Sequence, residues 1–413
     1  MKVKIIGWLH EDVDLTLKRE LLLRDGERIL KCIIPENAII GETKLLHESL
    51  IEVKGEVKGD RLYAKEVKIL IKPLIREHPK IEPLPEEDPE KIAKYSYLYI
   101  RHPKIVKILK VQHWLLHYIR EFLSSKGFIE VLSPMISPCS DPGLRGARKL
   151  HTKYYGATYE LMSSIIMFKQ SSVASLKKIF FVARNVREEP VENLKTGRHL
   201  CEFTQVDVEW AYASMYKTME LCEELICYTI RKLLENETTK AIIEEFNPKL
   251  EVPKRPFKKL TYDEAVEIVE KLGCKIERGK ELPQEGEAKI SEYFGEFLWI
   301  TYYPKTSRGF YYMEEPTKPG YNRDFNLLAP KGYGEIADGG EREYRYDKIV
   351  ERLKMLGEDL SKYKWFLTLA KIGIPPSSGF GLGVERFTRY VLGLKYIWLA
   401  VPFPKPPGIV GAP

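Results

Sequence analysis

Apolar and polar residues alternate in short runs over the first 75 positions: VKIIGWL, RELLLRDG, RILKCIIP and SLIEVKGEVKGDRLYAKEVKILI. This is the period-2 pattern of half-buried strands. The last run turns at Lys58-Gly59-Asp60, and five short strands of this size predict a small β-barrel of the OB type, a fold that commonly binds nucleic acid. From residue 78 to 94 the pattern changes to HPKIEPLPEEDPEKIAK, proline-rich and acidic without an apolar period. It predicts a connecting arm, so the expected organisation is a barrel over 1–75, a linker over 76–100 and a larger domain over 101–413.

Helical spacing begins after the arm, with Ile105, Ile108, Leu109, Val111, Trp114, Leu115, Tyr118, Ile119 and Phe122 on one face and a stop at Gly127. FIEVLSP then reads as a strand closed by Pro134, with further strands at KIFFVAR, EFTQVDVEW and EFLWITYYP. Helices are expected at YKTMELCEELICYTIRKLLEN and YDEAVEIVEKLG. Strands at irregular intervals, without regular crossover helices, predict an α+β fold whose antiparallel sheet is flanked by helices.

At 413 residues and 44% apolar content the chain is long enough for two domains. A net charge of +7 arises from 66 basic and 59 acidic side chains, which allows a nucleic-acid partner without demanding one. Over residues 1–75 the balance is fourteen basic to thirteen acidic. Six cysteines without a C-x-x-C pair indicate neither a zinc ribbon nor a disulfide framework and suit a reducing cytoplasm. No signal peptide or membrane-spanning apolar run is visible, so the expectation is a cytoplasmic protein without a membrane partner.

Three stretches concentrate chemistry. FFVARNVREEPVENLKTGRHLCEFTQVDVEWAY sets Arg187, Glu189, Arg198, His199 and Phe203 around a charged loop, with Gln205, Asp207 and Glu209 on the following strand. Carboxylates in a central strand need partners or a ligand. LLAPKGYGEIADGGEREYRYD places Glu335 after a Gly-Tyr-Gly turn and Arg342 after Gly339-Gly340. SGFGLGVERF runs from glycines, including Gly381 and Gly383, into a helix bearing Arg386. Glycine turns with arginines and a carboxylate provide the close approach that a phosphorylated ligand with a divalent ion requires.

In this order the segments resemble the catalytic core of class II aminoacyl-tRNA synthetases, in the aspartyl and asparaginyl branch. GFIEVLSP is similar to the first, dimer-forming motif, NVREE with GRHLCEFTQVDVE to the second, and GFGLGVERF to the third; GYGEI followed by GG and RE is diagnostic of the branch. The resemblance implies a homodimer, with ATP and Mg²⁺ as cofactors and an acyl-adenylate as intermediate. It implies that Arg187 grips the α-phosphate and that Arg386 lies over the bent ATP. Glu189, Arg198, His199, Phe203, Gly381 and Gly383 belong on the nucleotide side, and Glu335 holds the metal. Lys169, Gln205, Asp207, Gly340 and Arg342 belong on the amino-acid side, and the Lys169–Arg342 pair is expected to form a doubly cationic clamp. Such a clamp prefers aspartate to asparagine by on the order of 10⁴-fold, because an amide turns its own donors toward the cations.

Several positions depart from that branch. The family's QSPQ segment is SSII here, Ser163 to Ile166; a histidine before the third motif is replaced in the Ser377-Ser378 region; and a metal-binding carboxylate appears as Asn326. In the barrel, the aromatic that stacks on an anticodon base falls at Glu20 and a base-reading glutamine near Lys31. The combination of SSIIMFKQ, GYGEIADGGERE and PSSGFGLGVERF is similar to archaeal asparagine synthetases that are paralogues of asparaginyl-tRNA synthetase. The expected activity is therefore aspartate activation followed by ammonia, giving asparagine. The alternatives are an aspartyl- or asparaginyl-tRNA synthetase that charges tRNA, and a non-catalytic tRNA-binding or regulatory paralogue.

Overall fold

The structure is a computed structural model that describes residues 2–75, 79–141, 146–411 and 413. Residues 76–78 of the expected linker lie outside the described residues. The chain divides into two compact units, residues 1–109 with 411–413, and residues 110–410.

In the first unit the strands Lys2–Leu9, Glu20–Asp25, Arg28–Ile33, Leu50–Lys58 and Arg61–Ile71 form an OB-like closed barrel. Closure comes from parallel pairing of Lys31 with Arg61 and of Cys32 with Leu62. Alternate residues point inward, so Leu21, Leu23, Ile51, Val53 and Leu62 fill the core, and the outward set carries cross-strand ion pairs such as Lys54–Glu66 and Lys65–Glu56. Period-2 alternation thus becomes one dry side and one charged side. Beyond the barrel, a short helix Pro89–Lys94 starts where Asp88 accepts from the backbone N–H of Lys91 and Pro89 takes the first turn. That is an N-cap signature inside the acidic, proline-rich stretch.

The second unit is built on an eight-stranded sheet. Its order is Lys258–Thr261, Leu298–Thr301, Asp324–Ala329, Gly334–Glu341, Ser377–Gly383, Glu202–Ala211, Lys178–Val186 and Ile129–Glu130. The inner pairs are antiparallel and the outermost pair at each edge is parallel. Helices Met215–Glu235, Gln284–Phe294 and Val384–Val391 pack against it. The fold is therefore α+β, as the irregular strand spacing predicts. FIEVLSP pairs with the sheet at Ile129 and Glu130, and Val131 donates its N–H to the Phe180 carbonyl, before the chain leaves the sheet edge; Leu132 is 91% exposed. Among the described residues no helix is long and apolar enough to cross a membrane.

Candidate active site

The inner strands of this sheet floor a cavity of about 420 Å³. Thirteen of the fourteen residues selected from the sequence line it: Lys169, Arg187, Glu189, Arg198, His199, Phe203, Gln205, Asp207, Glu335, Arg342, Gly381, Gly383 and Arg386. Gly340 does not. It packs against the neighbouring strand, where a Cβ would lie 2.5 Å from the Arg323 carbonyl oxygen.

One end of the cavity is a buried charge cluster. Lys169 Nζ donates to Asp207 Oδ1 at 3.0 Å and to the Phe380 carbonyl at 3.3 Å, and lies 3.6 Å from Glu209 Oε2. Arg342 binds the same Glu209 carboxylate through Nε and Nη2, and Ser377 Oγ donates to its Oε1. The two cations of the expected clamp are thus brought together, each already facing a carboxylate. Asp207 Oδ2 is buried and accepts no hydrogen bond from the described residues. Burial pushes the Asp207 carboxyl above its ordinary value against the pull of Lys169. A cation arriving at Oδ2, such as a substrate ammonium group, would satisfy it. Antiparallel register sets Asp207 opposite Gly381, and a Cβ on Gly381 would come within 2.8 Å of Gln205 Nε2 and 3.1 Å of Asp207 Oδ1. Glycine there keeps both polar side chains in place.

The other end is arginine-rich. Arg187 donates from Nε to the Ser163 carbonyl at 3.0 Å, with its guanidinium 5.2 Å from the centre of the Phe203 ring. Arg386 Nη1 donates to both Oε1 and the carbonyl of Glu335, at 2.9 and 3.0 Å. Arg198 pairs with Glu287 at 3.1 Å and packs over Gly334, while its Nε and Nη1 are buried without a hydrogen-bond partner among the described residues. Glu189 accepts from Asn193, and His199 contacts Thr196 and Gln284. Fork-shaped cations, Arg198 buried and Arg187 and Arg386 half-buried, suit phosphate oxygens.

Of the altered positions, Ile166 lines the cavity, whereas Ser163 turns its hydroxyl to Ser140. Ser378 bonds Thr218 and the Gly340 carbonyl. Sequence reasoning missed Arg308, Tyr311, Tyr312, Asp338 and Gln284, all in the lining. Nothing in their spacing marks them, since loop and neighbouring-strand geometry alone carries them to the site. As a metal site, Glu335 offers one carboxylate in a lining that also carries Asp338 and Glu281, and no group of three or more His, Cys, Asp or Glu placed to hold a metal ion occurs among the described residues. That donor set fits Mg²⁺ held by one carboxylate together with substrate phosphates.

The chain is similar to known proteins over nearly its whole length. The family model for tRNA synthetases class II (D, K and N) matches residues 88–407. The asparagine–tRNA ligase of Pyrococcus abyssi is 34% identical, over 98% of this chain and 95% of its own length. The aspartate–tRNA(Asp/Asn) ligase of Archaeoglobus fulgidus is 30% identical over the same shares. The crystal structure of asparaginyl-tRNA synthetase from Pyrococcus horikoshii complexed with asparaginyl-adenylate superposes with a TM-score of 0.87 at 32% identity, covering 99% of this chain and 96% of that one. With the family match spanning the catalytic unit and the relatives matching end to end, the chain belongs to the class II tRNA synthetases of the D, K and N type.

Proposed function

We propose that the protein activates aspartate with ATP and transfers the aspartyl group to tRNA. The observation that carries the activation step is the division of one cavity into a Lys169–Arg342 end and an Arg187–Arg386 end. Lys169 supports aspartate over asparagine. Asp207 Oδ2 receives the substrate ammonium, and the side-chain carboxylate is drawn toward the two cations. An oxygen of the α-carboxylate forms a bond to the α-phosphorus as the bond to the bridging oxygen breaks, leaving aspartyl-adenylate and pyrophosphate. Arg187 and Arg386 follow the charge that develops on the phosphates. Mg²⁺, with Glu335 as its protein ligand, neutralises phosphate charge when bound.

Transfer to tRNA is supported by the end-to-end match to tRNA ligases, the N-terminal barrel included. The terminal ribose hydroxyl of tRNA attacks the acyl carbon and AMP leaves. One observation favours a second reading, in which ammonia attacks the acyl carbon of a β-aspartyl adenylate, AMP leaves and asparagine is released. Glu20 and Lys31, the barrel positions compared with base-reading residues, pair with each other at 3.0 Å across adjacent strands, so neither offers a π-face or a free amide to a base.

A single preparation decides between them. Incubation with labelled aspartate, ATP and Mg²⁺ is run once with tRNA and once with ammonium. Label in precipitable tRNA supports charging; free asparagine formed without tRNA replaces it with the second reading. Absence of aspartate-dependent pyrophosphate release would remove both.

Subunit pairing through the sheet edge is part of the same proposal. Ile129, Leu132 and Met135 are 49%, 91% and 64% exposed beside the edge strand, an apolar row that a second copy would cover.

A further inference from the structure

Arg308 was not selected from the sequence, yet it is buried in the cavity wall with its guanidinium carbon 3.8 Å from the centre of the Tyr303 ring. Its Nη2 donates to Asn326 Oδ1 at 2.7 Å, and Asn326 Nδ2 donates to Glu335 Oε2 at 3.0 Å. Glu335 Oε1 accepts from Arg386 at 2.9 Å. Four side chains, from a loop, two strands and a helix, thus form one hydrogen-bonded line, of which Arg308, Glu335 and Arg386 line the cavity. The amide orientation follows from chemistry: a guanidinium has only donors and a carboxylate only acceptors, so the Asn326 oxygen must face Arg308 and its nitrogen must face Glu335.

Two further carboxylates lie close by, and both are drawn to the same guanidinium. Arg308 Nε is 3.1 Å from Glu281 Oε1 and 3.2 Å from Asp324 Oδ2, and Asp324 Oδ1 accepts the Tyr303 N–H. Glu335 is therefore flanked by the Asn326 amide and the Arg386 guanidinium, with Arg308 one step behind the amide. A carboxylate at position 326 would stand beside Glu335 as a paired acidic donor set, the arrangement that concentrates a divalent ion. Here an amide tied to a fixed positive charge stands there instead.

We propose that Arg308 and Asn326 set the divalent-ion demand of the nucleotide site. With an amide at 326, Glu335 is the one carboxylate of this line left to an ion, and the Arg308 guanidinium, shared among Asn326, Glu281 and Asp324, holds the amide in place. Both are positioning residues: they act through Glu335. The inference rests on the nucleotide-binding reading given above.

The test counts ions directly. Mn²⁺ and α,β-methylene-ATP are equilibrated with the full-length protein, bound Mn²⁺ is read by electron paramagnetic resonance, and bound nucleotide is measured in parallel. About one Mn²⁺ per bound nucleotide is expected in the natural chain and about two in Asn326→Asp, where the paired carboxylates are restored. Arg308→Gln, which adds no buried carboxylate, is expected to lower the Mn²⁺ concentration at half-occupancy by about tenfold, the scale for removing one nearby charge from a partly buried site. Two ions already bound by the natural chain, or unchanged stoichiometry and half-occupancy in folded variants that still bind the analogue, overturns the inference. Failure of the natural chain to bind the analogue at all overturns the nucleotide reading itself.

Discussion

Arg342 grips Glu209 with two nitrogens, Nε and Nη2, at 3.1–3.2 Å, and both residues are buried. Lys169 Nζ lies 3.6 Å from the same carboxylate. Glu209 is thus the counter-ion that makes two buried cations tolerable before any substrate arrives. Glu209→Ala should cost about 3–5 kcal/mol in denaturant unfolding, the scale for stranding a buried charge. A loss below about 1 kcal/mol would mean that Lys169 and Arg342 find other partners.

Lys169→Met keeps the volume of the side chain and removes its charge. Aspartate should bind on the order of 10²-fold more weakly, the cost of truncating one partner of a buried charge pair. ATP affinity should stay close to normal, because the phosphate end has its own cations. Calorimetric titration of each ligand separates the two effects, and equal losses would argue for a general collapse of the site.

Arg187→Ala and Arg386→Ala should each lower aspartate-dependent ATP–pyrophosphate exchange by at least about 10²-fold while the melting temperature holds. Near-normal exchange in either variant would displace that arginine from the reaction.

Burial pushes the Asp324 carboxyl from its ordinary 3.8 up to about 6, against the nearby Arg308. Between these values the native state holds a proton that the unfolded chain has released, so this group's contribution is fully present below about 4 and declines as pH rises to about 6. The decline is on the order of 2–3 kcal/mol. Asp324→Asn, which keeps an acceptor for the Tyr303 N–H, should remove that component from stability measured between pH 4 and 6. An identical pH slope in both proteins would show that Asp324 is ionised throughout the window.

Leu132→Glu puts a charge in the exposed apolar row beside Ile129 and Met135. If a second copy covers that row, sedimentation should show a dimer for the natural chain and a shift toward monomer for the variant. A monomeric natural chain at micromolar concentration would leave the edge unpaired.

Period and punctuation in the sequence were enough to predict the barrel, the long helix before Gly127 and an α+β sheet, because strand alternation and helical spacing are local consequences of burying one face. The cavity-lining stretches were legible because arginines and carboxylates beside glycines are costly in a core without a ligand, and because their order resembles the class II synthetase motifs. Composition hid the helix start at Asp88-Pro89, since proline and acidic residues read equally as an arm. Only the tertiary structure decided which charges meet. Strand register places Asp207 against Gly381 and threads Glu209 between Lys169 and Arg342, turning an expected open clamp into a neutralised cluster. Arg308 reaches Asn326 because a loop folds back over the sheet, and Glu20 meets Lys31 because two strands pair. Such contacts join residues distant in sequence or set by pairing register, and a one-dimensional pattern carries no signal for the distance between them.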